Sequence, residues 1–342
     1  MNKQNEILEL TKLINEEGNL TNPGWCRHNL FDYNREDIKA PMWRAKEWDF
    51  YQVSDGEWVV QLNFANISIA SFASADIFNL KTGEKHSCMG LGFFTKNKYQ
   101  MPRNGEKPYV LDYLIGGAHI KYEVTETERK LYYKGISKGK DVEVNIVAQN
   151  NLNNESITIA TPFKMPGRFF YTQKINCMPA KGTAIVGDLK VEFDKNAFLV
   201  LDWGRGVWPH DNFWYWGNGS TYIDGKLFGF EITWGIGEED AATETCVFYD
   251  GKAHKIGAVD VDECPKTKGW MKPWVFKSDD GKFDLTMTPF YDNHTETKVL
   301  NLLKMSCHQV HGYYNGTVTL DDGTVLEIKD MYAFCEYVEN LW

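Results

Sequence analysis

Beyond Gly18, apolar and polar residues alternate in short runs at 58–64 (WVVQLNF), 142–148 (VEVNIVA), 189–193 (LKVEF) and 317–320 (TVTL). Such alternation buries one face of a strand and leaves the other wet. The runs are rich in Val, Ile, Phe and Trp, side chains that suit a pleated surface. Between them stand Asp55-Gly56, Asn104-Gly105, Asn218-Gly219, Asp224-Gly225, Asp250-Gly251, Asp280-Gly281, Asn315-Gly316 and Asp322-Gly323. These dipeptides supply the positive φ that two-residue hairpins demand. Strand–helix–strand units, Gly-rich phosphate loops and heptads are missing from the sequence, which excludes the nucleotide-binding α/β folds. The pattern predicts an all-β chain of two antiparallel barrels or sandwiches.

Two segments break the pattern. Residues 1–18 carry Ile7, Leu8, Leu10, Leu13 and Ile14 among acids, which predicts a short amphipathic N-terminal helix stopped by Gly18. Interrupted by acids, that segment is no signal peptide, and no run approaches the ~18 apolar residues of a membrane span. Prolines, glycines and lysines cluster at 162–182. That cluster marks a domain junction, with β-domains at 1–172 and 173–342, or a long functional loop within one sheet.

Composition narrows the partners. The net charge is −10 with no Lys/Arg run, so the basic footprint of a nucleic-acid binder is missing and docking on anionic membranes is disfavoured. Seven cysteines are scattered without a Cys-x-x-Cys pair, which argues against a disulfide framework or a zinc ribbon and for a cytoplasmic protein. Aromatic residues make up 14% of the 342 residues, an excess that needs a home. It is densest at 201–220 (LDWGRGVWPHDNFWYWGNGS), where Trp203, Trp208, Trp214 and Trp216 accompany Asp202, Arg205, His210 and Asp211. Such a segment is either the wall of an apolar pocket with polar tips or a core strand with a snorkelling arginine.

Separated blocks in a fixed order resemble the bacterial DUF2804 family over almost the whole chain. They are Asn22-Pro23-Gly24-Trp25, the Trp43/Trp48 pair, Gln173-Lys174-Ile175-Asn176 with Pro179-Ala180-Lys181-Gly182, Asp202-Trp203-Gly204-Arg205-Gly206 and Trp214-Tyr215-Trp216. Further on come Asp250-Gly251-Lys252-Ala253-His254-Lys255, Pro273-Trp274, His308-Gln309-Val310 and the stretch from Glu336 to Trp342. The family is distantly similar to two-domain lipocalin-like proteins that include carotenoid hydratases. The resemblance therefore implies paired lipocalin-like barrels around an apolar ligand cavity. The chain departs from the family pattern at Thr245 (Asn in the pattern), Asn293 (Arg), His311 (an aromatic) and Leu341 (Arg). Losing two arginines removes two rigid five-donor forks.

The candidate chemistry is proton transfer. Asp202 and Arg205 are either an ion pair at a strand corner or an acid and an orienting cation beside indole walls. A carboxyl group desolvated by indoles holds its proton more readily, as a general acid requires. Glu244, before the strand 247–249, is a second candidate, and Glu336 is comparable unless it faces water. His308 and His311 suit an acid–base role, but three apart on a strand they point to opposite faces and cannot easily share a metal ion. No nucleophile motif or phosphate loop is present. The expectation is an acid/base enzyme of hydratase, isomerase or cyclase type acting on an unsaturated hydrophobic small molecule, with no cofactor and no metal. Asp202, Glu244, His308 and His311 are the catalytic candidates, and Trp203, Arg205, His210, Trp214, Trp216, Tyr249 and Gln309 the ligand contacts. Asp202, Arg205, Trp214, Trp216 and at least one of His308 and His311 are expected to line a single cavity. The rival is a non-catalytic carrier of a lipid or hydrophobic metabolite, which needs only one orienting charge. A homodimer is left open; nucleic acid and membrane insertion are not expected.

Overall fold

The computed structural model describes residues 4–95, 98–299 and 303–341. Almost all of them lie in antiparallel strands or tight turns, and α1 (Pro265–Lys268) is the only α-helix among the described residues. The chain forms two compact units, Glu6–Trp208 and Met1–Asn5 with Pro209–Trp342.

In the first unit, two four-stranded meanders flank a central pair of strands. Neighbour by neighbour, the sheet runs Lys85–Phe93, Ala70–Asn79, Trp58–Asn66, Ala45–Ser54, Phe198–Val207, Phe169–Val186, Lys140–Gln149, Glu128–Ser137, Ala118–Val124 and Tyr109–Ile115. It curls into a nearly closed barrel. Ser137 Oγ, on the third strand from one end, donates to the Ser87 carbonyl of the edge strand at the other at 2.8 Å, and a Cβ on Gly90 would run into the Ile115 carbonyl. Leu199, Leu201, Trp203 and Val207 turn one face of their strand to the barrel core with Tyr33, Tyr51, Tyr122 and Tyr171.

In the second unit the order is Lys252–Lys255, Cys246–Tyr249, Lys226–Trp234, Asp211–Ile223, Val325–Leu341, Leu303–Thr319, Phe283–Val299, Trp274–Ser278 and Val259–Val261, a half-barrel. Its core takes Phe228, Phe230 and Ile232, Val310 and Tyr314, and Ala333 and Cys335, every second residue of each strand.

Three expectations are corrected. Residues 4–18 are not helical: Glu6 bridges to Trp25, Thr11–Lys12 pairs with Phe31–Asp32, and Ile14 bridges to Leu20. Extended, that segment buries Ile7, Leu13 and Ile14 against the first core while leaving Leu8 and Leu10 in solvent. Secondly, the segment 162–182 is not where the units part. Phe169–Val186 is one long strand, and the division falls between Trp208 and Pro209. The prolines mark bends instead: Pro162 ends a short strand, and Pro179 follows a register shift between Ile175 and Met178, where proline is tolerated. Thirdly, Asn218-Gly219 and Asn315-Gly316 lie inside strands and Asn104-Gly105 in a loop. Asp224-Gly225 and Asp250-Gly251 are hairpin turns with φ of 53° and 76°, and of 51° and 78°, as a type I′ turn requires.

Candidate functional site

In the second sheet, the face turned away from the core is also buried, and it is polar. The register builds it in rows. Trp216 stands opposite Thr233 on one side and Glu336 on the other, Glu336 stands opposite Gln309, and Gln309 opposite Asn293. The next row runs Glu231, Asn218, Phe334, His311 and Tyr291. Residues two apart on a strand share a face, so the spacing of Trp214, Trp216 and Asn218 puts all three on it.

Three carboxylates sit within or beside these rows. Glu231, fully buried, accepts from Trp216 Nε1 at 2.6 Å and from Asn218 Nδ2 at 2.6 Å. Glu336, 9% exposed, accepts from Trp214 Nε1 at 3.0 Å and from Gln309 Nε2 at 3.5 Å. Glu244 accepts from Thr233 Oγ1 at 2.7 Å. Nearby, Lys255 donates to Thr243 Oγ1 and the Thr245 carbonyl, and burial pushes its ammonium down to about 8 against the pull of Cys246, Asp280 and Glu244.

The hydrogen bonds around Glu336 have a fixed direction. Gln309 turns its amide nitrogen to Glu336 Oε2, which accepts, and its oxygen to His311. His311 Nε2 lies 3.2 Å from that oxygen and must donate, which leaves Nδ1 to accept from Tyr332 Oη at 2.9 Å. Burial pushes the His311 imidazole down to about 3, so it is neutral at pH 7 and this tautomer persists. It orients Gln309 and is a poor base.

His308 belongs to the opposite face of the same strand. It stacks on Trp270 at 4.0 Å and on His294 at 3.9 Å, with Asp292 Oδ2 2.8 Å from Nδ1. The two imidazoles therefore diverge, as their spacing on a strand dictates.

Asp202 and Arg205 belong to the first unit and also diverge. Arg205 lies in the barrel core, where Nη2 donates to Asp49 Oδ1 at 2.7 Å and to the Pro102 carbonyl at 2.8 Å. Nη1 reaches the Trp48 carbonyl at 2.6 Å, Glu47 lies 3.7 Å from Nε, and the guanidinium stacks 3.9 Å over the Trp203 ring. Trp203 packs edge-on against Tyr171 and Tyr33. Both are core residues, and the expected Asp202–Arg205 pair does not form. Asp202 faces the other way, taking a hydrogen bond from Lys174 Nζ at 2.5 Å and from Trp48 Nε1 at 3.2 Å. His210 is exposed, and Tyr249 packs at the margin of the second core beneath the Lys226 ammonium.

The structure thus gathers Trp214, Trp216, Gln309 and His311 on one face and leaves His308, Tyr249, Trp203 and Arg205 off it. Sequence reasoning passed over Glu231, Asn218, Thr233, Tyr332 and Lys255. Glu231 was legible as an acid inside the apolar run 226–234, and Asn218 was masked by its resemblance to a turn.

Solved structures resemble this chain at low identity. CghA, in a crystal structure with Sch210972, superposes with a TM-score of 0.51 at 10% identity, covering 87% of this chain and 88% of that one. Kievitone hydratase from Nectria haematococca gives 0.49 at 11% identity, covering 97% of this chain and 98% of that one. A putative AttH from Nitrosomonas europaea gives 0.46 at 9% identity, covering 90% and 95%. No curated protein matches the sequence. The signature of DUF2804, a domain of unknown function, spans residues 4–342, and the chain belongs to that family.

Proposed function

We propose that this protein binds an unsaturated hydrophobic small molecule and carries out acid–base chemistry on it, as a hydratase, isomerase or cyclase without a cofactor, on a lipocalin-like scaffold. The observation that supports this most is the pair of buried carboxyl groups flanking one indole. Glu336 stands opposite Trp216 across the strands, and Glu231 accepts from the Trp216 nitrogen. Burying a carboxyl group among indoles costs stability unless it is used or well satisfied.

In this reading Glu336 protonates a double bond, the Trp216 face and the Glu231 carboxylate stabilise the cationic charge that develops, and loss of a proton or capture of water completes the turnover. Gln309 holds Glu336 in place, and the His311–Tyr332 chain holds Gln309. Glu244 is a further acid candidate through Thr233. Asp202, joined to Lys174, serves the scaffold of the first unit rather than proton donation.

The test is to extract and identify the small molecule that co-purifies with the protein and to return it to fresh protein. Conversion by the wild type and its loss in Glu336→Gln, with the fold intact by circular dichroism, is the expected result. Stoichiometric binding with no conversion by the wild type makes the protein a carrier instead.

A further inference from the structure

The strands Ala45–Ser54, Phe198–Val207 and Phe169–Val186 carry a second ordered face, on the side of the first sheet away from its core. Lys46, Gly206 and Phe170 stand in one row, Trp48, Gly204 and Thr172 in the next, and Phe50, Asp202 and Lys174 in a third. Just past the first row the chain leaves these strands, at Arg44 in the 3-10 helix Met42–Arg44, at Trp208 and at Arg168. The glycines make room for rings. A Cβ on Gly204 would lie 2.2 Å from Trp48 Cζ2, and one on Gly206 would lie 3.1 Å from Trp208 Cζ3. Trp48 and Trp208 meet at 4.8 Å, and Phe170 approaches Trp208 edge-on at 6.0 Å. The middle of the face is therefore an aromatic floor.

One end of that floor is cationic. Lys46 is 5% exposed, and burial, with the guanidinium groups of Arg44 and Arg168 adding to it, pushes its ammonium down to about 6. Burial and Arg44 likewise lower Arg168, whose Nη1 is buried with no hydrogen-bond partner. Two guanidinium groups crowding a buried amine, one of them with an idle buried donor, cost stability. An anion at this point would satisfy that donor and relieve the repulsion, and a guanidinium fork suits a carboxylate best. Arg44 and Arg168 are only half buried, so such a group reaches them from solvent.

We propose that Arg44, Lys46 and Arg168 form a subsite for the carboxylate of an unsaturated hydrophobic acid whose apolar body lies on the half-buried ring of Trp48, which the fully buried Trp208 backs. The proposal rests on the reading that the protein holds a hydrophobic small molecule, and it adds the chemical class of one such ligand.

The probes are cis-parinaric acid, a fluorescent polyene carboxylate, and its methyl ester, titrated against the full-length protein. Losing a charge-assisted hydrogen bond weakens binding by roughly tenfold or more. The acid should therefore bind at least about tenfold tighter than the ester. Arg168→Gln and Lys46→Met should each remove that preference while leaving the ester's affinity as it was. Arg44→Gln, a half-exposed site that tolerates change, provides the variant least prone to misfold. Equal affinities for acid and ester, or an acid preference that survives all three substitutions, overturn the carboxylate subsite and leave hydrophobe binding standing. Failure of both probes to bind the wild type overturns the two together.

Discussion

At the scale of single residues, the parity of a strand decides who can meet whom. It separates His308 from His311, and it separates Asp202 from Arg205 in the same way. The first separation is read directly from the sequence, and the second was equally legible there. What the spacing does not contain is the partner: Asp49 and Glu47 meet Arg205 only because Ala45–Ser54 pairs with Phe198–Val207. Both ends of the Arg205–Asp49 contact are fully buried, so Arg205→Met strands a charge and should cost about 3–5 kcal/mol of stability in urea unfolding. Asp202→Asn should cost clearly less, because Asp202 is partly exposed. An equal loss from both would show that the core pair is not the stronger anchor.

His311 carries a pH signature. Its folded value is about 3, below the ordinary value of 6.5, so between those limits the unfolded chain binds the extra proton. This contribution to stability is therefore complete above pH 6.5 and is lost as pH falls toward 3, by about 1.4 kcal/mol per pH unit. Chemical denaturation at a series of pH values should show this slope in the wild type. In His311→Phe it should be shallower by that amount over the same window. An unchanged slope would mean that His311 is not buried neutral.

At the scale of elements, alternating runs and paired turn dipeptides made the strands legible, and the hairpins at Asp224-Gly225 and Asp250-Gly251 formed where the residues demanded them. Asn218-Gly219 failed as a turn signal because Asn218 serves Glu231 from within a strand. The N-terminal apolar spacing failed as a helix signal because extended pairing with Trp25 and Phe31 buries Ile7, Leu13 and Ile14. Glycines inside the strands have a different use, allowing rings to lie on the sheet. Gly204→Ala would drive a methyl group into Trp48, at an overpacking cost of about 1–3 kcal/mol. The expected result is a lower melting temperature together with a shifted tryptophan emission. A wild-type melt and spectrum would mean that Trp48 does not rest on that glycine.

At the scale of the whole molecule, composition and alternation were enough for fold class, and each unit has its own hydrophobic core. The division at Trp208–Pro209 was not legible. Proline clusters at bends within a continuous strand as readily as between domains, and the true division lies inside the aromatic segment 201–220. That segment therefore contributes Trp203 and Arg205 to one core, and Trp214 and Trp216 to a polar face of the other unit. Among the described residues, no helix is long and apolar enough to cross a membrane.

The claim that matters most is that Glu336 passes a proton to carbon in a bound hydrophobic molecule. Its direct test is mass spectrometry of the ligand recovered after incubation with the protein in deuterated water. The account predicts one carbon-bound deuterium from the wild type and none from Glu336→Gln, with both proteins binding the ligand. Ligand that returns unlabelled from the wild type, or equally labelled from both, would contradict it.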